Sequence, residues 1–180
     1  MAAIDNQPDN KNFLSPIGFK FVIKKTPHIN YFVQTATLPS LQLGTSNVDT
    51  PFVKFPLPGD HLNFGDFSLT YKVDEDLKNY MILHNWITGL GIPENFTQFK
   101  NLTTNEDGLK DDKLQFCDGT LHILNSNYRD IAMVKFIDLF PVSLTSLEFN
   151  ATENDVNYFT AEASFKYTIY NILDPDGNPL

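Results

Sequence analysis

The chain has 180 residues, of which 42% are hydrophobic and 13% aromatic, and it carries a formal charge of −9. That is enough apolar material for one domain with a real core, and too acidic for a protein that grips nucleic acid by its phosphates with clustered Lys and Arg. Sixteen phenylalanines and seven tyrosines against three methionines favour pleated sheet over helix bundle, so the composition reads as β-rich with little helix.

Residues 1–14 open the chain as a polar arm expected to order only against a partner. GFKFVIKK (18–25) alternates Phe19, Phe21 and Ile23 with Lys20, Val22 and Lys24, which predicts a strand. KTPHIN reads as a short connection to a second β-run, NYFVQTATLP (30–39). Residues 40–65 change character: Pro51, Pro56 and Pro58 lie close to Gly44, Gly59 and Gly65, with apolar pairs between them. Proline cannot donate to a ladder, so a central strand is unfavourable here. The expectation is an extended, hairpin-like loop at a sheet edge. Its Phe52, Val53, Phe55 and Leu57 would be out of place on a monomer surface and suit an interface.

DFSLTYKVDE (66–75) alternates as a strand and runs into a helix expected over residues 76–89. Asp74, Glu75 and Asp76 stand where that helix begins, one as N-cap and the others facing the positive end of its dipole. Gly89-Leu90-Gly91 would supply the C-cap, with Pro93 forbidding resumption. Leu77, Tyr80, Met81, Leu83, Trp86, Ile87 and Leu90 span well over half of the helical wheel, wider than an ordinary surface helix. The helix is therefore expected to be covered on more than one side, with Trp86 and Ile87 candidates for contact with a neighbouring subunit. His84 falls in the same arc as a packing residue.

Residues 92–113 read as a long polar loop. KLQFCDGTLHILN (113–125) reads as strand–turn–strand around Asp118-Gly119. A long strand over 130–149 with a break at Pro141, and a last alternating strand over 157–172, complete the pattern. Residues 174–180 end the chain in turn residues.

Chemistry is sparse. One cysteine, Cys117, excludes a disulfide framework. The histidines at 28, 61, 84 and 122 form no HxxxH or HExxH pair, and no CxxC exists, so no metal site is expected. Cys117 and His122 flank the predicted turn, but no third group is placed to orient them. Asp174-Pro-Asp-Gly-Asn starts like a calcium loop and lacks the closing Glu. No phosphate-binding glycine loop or GxSxG elbow occurs. No cofactor and no enzymatic activity are expected. MAAIDNQPDNKNF lacks the basic start and apolar centre of a secretory signal, so the sequons at Asn95, Asn101 and Asn150 read as chance. No run approaches the ~20 apolar residues of a spanning helix.

The order of motifs is informative as a whole. Two strands ending in TATLP are followed by PLPGDHLNFGDFSLTYKVDEDLKNYMILHNWI, and later by DIAMVKFIDLFPVSLTSLEFNATENDVNYFTAEASFKYTIYNI. Over roughly residues 15–172 this resembles the tail tube proteins of contractile-tailed bacteriophages of the T4 type. The resemblance implies a mainly β fold of two packed antiparallel sheets, a barrel-like β-sandwich with one flanking α-helix, in one domain over 15–173. It implies a homo-oligomer of hexameric rings stacked into a hollow tube inside a contractile sheath. Genome DNA would pass through the lumen without sequence-specific binding. Tail sheath protein, baseplate tube initiator and tape measure protein would be its partners, and the virion tail, assembled in the host cytoplasm, its location. Tube-initiating, tube-terminating and secretion-system relatives share the fold, so these roles stay open beside that of tube subunit.

Overall fold

The computed structural model describes residues 12–23, 25–92, 95–104, 112–150, 152 and 157–180. Its nine strands are β1 (Phe19–Ile23), β2 (Val33–Thr37), β3 (Leu41–Asp49), β4 (Lys54–Phe64), β5 (Phe67–Lys72), β6 (Cys117–Leu124), β7 (Asp130–Leu144), β8 (Thr160–Lys166) and β9 (Ile169–Leu173). All pairings are antiparallel, and the main path runs β1-β6-β7-β8-β5-β2, with β9 also on β7.

The long strand β7 belongs to two sheets. Its first part pairs with β6 and β9, and residues 140–144 pair with β8. The corner is at Asp138, which has a positive φ of 56°. Burial changes parity there: Val134 and Phe136 are buried before it, Leu139 and Pro141 after it. One residue in the left-handed region thus keeps both halves of the strand facing the same core. Opposite it, the chain breaks between β8 and β9, where the Thr168 N–H donates to Ile137 O (3.0 Å) and the Thr168 hydroxyl to Asp138 Oδ2 (3.3 Å). The break expected at Pro141 therefore comes three residues earlier, at Asp138, and the expected last strand is two strands meeting at a corner.

Alternation decides what lies between the sheets. Phe67, Leu69 and Tyr71 of β5 and Ala161, Ala163 and Phe165 of β8 are fully buried. Phe67 joins the two layers, its ring centroid 4.9 Å from Phe21 and 4.6 Å from Phe136. The fold is a mainly β, barrel-like sandwich.

Helix α2 (Lys78–Gly91) closes one side, and two shorter helices accompany it: α1 (Pro27–Phe32), which takes the expected connection and the first three residues of the β-run expected over 30–39, and α3 (Phe96–Thr103) inside the expected polar loop. A 3-10 turn over Asp112–Gln115 follows. None of the three carboxylates caps α2. Leu77 at the N-cap position is left-handed (φ 56°) and accepts no side-chain bond there, while Asp76 pairs with Lys78 at 2.6 Å. The strand-to-helix junction is held by Asn79, which donates to Lys72 O (2.8 Å) and accepts from the Asp74 N–H (3.2 Å). At the other end Ile92, not a glycine, takes the left-handed cap and donates to Thr88 O. Gly89 lets α3 pack closely: a Cβ there would stand 3.3 Å from Leu102 of α3.

Asp118-Gly119 is not a turn. Both lie within β6, with Gly119 opposite Phe136. A Cβ at Gly119 would lie 3.3 Å from the Phe21 ring, so the glycine makes room for an aromatic ring. Most of the expected N-terminal arm, residues 1–11, and residues 105–111 of the 92–113 loop lie outside the described residues.

Candidate assembly surfaces

The expected loop 40–65 is a β-hairpin forming its own sheet, β3 with β4, from Leu41↔Phe64 at the root to Asp49↔Lys54 at the tip. Pro56 and Pro58 are two residues apart on one side of β4, opposite Asn47 and Thr45. Missing donors are tolerated where a strand edge faces away from its partner. Between Leu43 and Thr45 the register slips at a bulge, where Gly59 lies so close to Gly44 that a Cβ would come within 2.6 Å of its oxygen.

No residue of either hairpin strand is buried. Cross-strand pairing puts Val48 beside Phe55 and Ser46 beside Leu57 on one face. At the tip, the Thr50 hydroxyl accepts from the Val53 N–H (3.1 Å) and donates to its carbonyl, leaving Phe52 94% exposed. A lone two-stranded hairpin is at best marginally stable in water. Its root is anchored instead: Phe64 packs edge-on against Tyr167 and Tyr170, Gly65 N–H donates to Ser40 O, and the Tyr167 hydroxyl donates to Gly65 O at 2.8 Å.

The second group of expected interface residues separates. Trp86 lies in the core at 2% exposure, its indole N–H donating to Gln115 O at 2.9 Å. The Lys25 ammonium sits 4.6 Å above its ring, and burial lowers that lysine's pKa. Ile87 is half-buried. The second cover over α2 is its own α3, while Leu77, Met81 and His84 remain exposed.

Two further surfaces escape sequence reading. One is the outer face of β7-β8-β5-β2. Thr37, Ser68, Ser164 and Ser143 form one cross-strand row and Thr35, Thr70 and Glu162 the next. Among the described residues both outer strands of this sheet, β2 and residues 140–144 of β7, have a partner on one side only. The other surface is a groove of about 760 Å³ at the far end of β5, lined by Phe32, Leu77, Phe149, Tyr158 and Phe159. The Phe149 and Phe159 rings meet at a tilt with centroids 4.8 Å apart, and the Lys72 ammonium lies 5.2 Å from the Tyr158 ring. The aromatic pairs Tyr31-Phe32 and Tyr158-Phe159, each at a strand boundary, are its trace in the sequence.

The candidate chemical groups do not converge. Cys117 and His122 occupy one continuous strand, five residues and roughly 16 Å apart. His122 Nδ1 lies 3.6 Å from Asp130. Among the described residues no three His, Cys, Asp or Glu side chains are grouped to hold a metal. Asp174 is occupied by its own turn. Its Oδ1 accepts from the N–H groups of Asn178 (2.7 Å) and Asp176 (3.0 Å), bonds that hold its pKa below the usual carboxylate value.

An open-edged sandwich with a protruding apolar hairpin offers surfaces suited to contact with another chain. The chain belongs to the phage tail tube protein family, whose sequence profile matches residues 6–173. A tail tube terminator protein of Enterobacteria phage T4 is 24% identical over 178 residues, covering 97% of this chain and 93% of that protein. The fold is shared with the tube-terminating cap of the anti-feeding prophage (TM-score 0.63, 16% identity, 97% of this chain and 99% of that one). It is shared also with a chain of the sheath–tube complex of an extracellular contractile injection system (TM-score 0.60, 16% identity, 91% and 93%). The chain is thus a tail tube or tube-terminator type of protein, a structural class.

Proposed function

We propose that this chain forms a hexameric ring that terminates the tube of a contractile phage tail. The observation that carries the ring is the sheet β7-β8-β5-β2, open at both edges among the described residues and lined with hydroxyls across its middle rows. Exposed strand edges invite pairing with another chain. Pairing β2 of one copy with the end of β7 in the next extends the sheet around a ring. The middle rows of such a wall present Ser, Thr and Glu162, with Lys72 and Lys166 at its two ends, on a chain of charge −9. A polyanion slides past it without being gripped. Sheath and tube proteins are the partners of this reading, and the virion tail its place.

The terminal position is supported by the end-to-end likeness to the phage T4 terminator. A second reading, the repeating tube subunit, is favoured by the hairpin, whose apolar tip suits contacts between stacked rings. Electron microscopy of the purified protein separates the two: isolated rings that add to the ends of preformed tubes support the terminator, and long self-made tubes support the subunit. A stable monomer at high concentration refutes both.

A further inference from the structure

We propose that the hairpin tip of one copy seats in the aromatic groove of a second copy of this chain. This rests on the ring-forming reading and adds a second contact between copies beside the β2–β7 pairing. The groove and the hairpin root lie at opposite ends of β5, whose six residues span roughly 20 Å. Two different surfaces at opposite ends of a subunit make a head-to-tail contact, in which every copy gives one surface and receives the other.

The chemistry of the two surfaces matches. The tip offers Phe52, Val53 and Phe55, exposed by 94%, 68% and 61%, and the groove offers Phe32, Leu77, Phe149, Tyr158 and Phe159. An engineered cavity of about 150 Å³ holds one benzene ring. The groove, at about 760 Å³, takes Phe52 together with its neighbours. Charge points the same way. Lys54, exposed beside Phe55, has only a 3.8 Å contact to Asp49. The groove is rimmed by Asp74 and Glu75, and Glu75 forms no ion pair among the described residues. Lys72, the groove's own cation, is drawn over the Tyr158 ring.

Sedimentation of the full chain with the variants K54E, E75K and K54E/E75K tests the contact, with melting curves as the check on folding. Each single variant places like charges together and is expected to weaken assembly by roughly tenfold or more, and the double variant to restore most of it. In a C117S background, F52C chains mixed with Y158C chains are expected to give a disulfide-linked dimer that neither forms alone. Assembly untouched by K54E, no recovery in the double variant, or no mixed disulfide overturns the docking while leaving the ring reading in place. A wild-type chain that stays monomeric overturns both.

Discussion

Asp138 bears the corner at which one strand passes from the first sheet to the second, and its replacement tests that claim quantitatively. An L-residue in the left-handed region costs about 1–2 kcal/mol, less for Asp than for a β-branched side chain. The Thr168 hydroxyl bond to Asp138 at 3.3 Å adds about 0.5–1.5 kcal/mol. Asp138→Val loses the bond and raises the backbone cost, for a total near 2 kcal/mol. Asp138→Gly loses the same bond but removes the backbone cost, so it should come out near zero. Thr168→Val alone should cost about 1 kcal/mol, and should cost nothing further on top of Asp138→Gly. Thermal unfolding at fixed protein concentration reads the series, at about 2–4 °C per kcal/mol for a chain of this size. Equal losses for Gly and Val would show that the positive φ does not control the corner. An unchanged Asp138→Val would refute the reasoning outright.

Phe67→Ala removes the ring that joins Phe21 to Phe136 and is expected to cost about 3–5 kcal/mol in denaturant unfolding, against a whole stability of about 5–15 kcal/mol. The Tyr71 hydroxyl is buried without a partner among the described residues, so Tyr71→Phe should leave stability unchanged or raise it by about 1 kcal/mol. A clear loss there would reveal a hidden partner. Burial, and then the nearby Tyr170 and Asp66, push the Tyr167 phenol up to about 12. The folded state therefore holds that proton more tightly than the unfolded chain, and the stability it contributes is complete below pH ~10 and lost as pH rises toward 12. Tyr167→Phe should flatten that part of the stability–pH profile. It should also speed amide exchange in residues 41–64, because the bond to Gly65 at the hairpin root is gone. An unchanged alkaline profile would count against the assignment.

Period-two patterns are a local property, and they were legible. Phe67-Leu69-Tyr71 and Ala161-Ala163-Phe165 face the core as their alternation requires, because successive side chains of a strand must point to opposite sides. The helix was legible from its three-and-four spacing, and the acidic character from simple counting. What the tertiary structure decided is where a local signal served a different purpose. Gly119 looks like a turn glycine beside Asp118, yet it gives way to the Phe21 ring in the middle of a strand. Three carboxylates look like helix caps, yet the left-handed Leu77 turns the chain so that Asn79 makes the junction. Trp86 fits an apolar face open to a neighbour, yet α3, itself hidden in a polar stretch, and Gln115 enclose it from within the same chain. The division of β7 between two sheets, the hydroxyl rows of the open-edged sheet and the aromatic groove each draw residues from strands or loops far apart in sequence. Such surfaces exist only once those segments pair, because no single segment carries the register that brings them together.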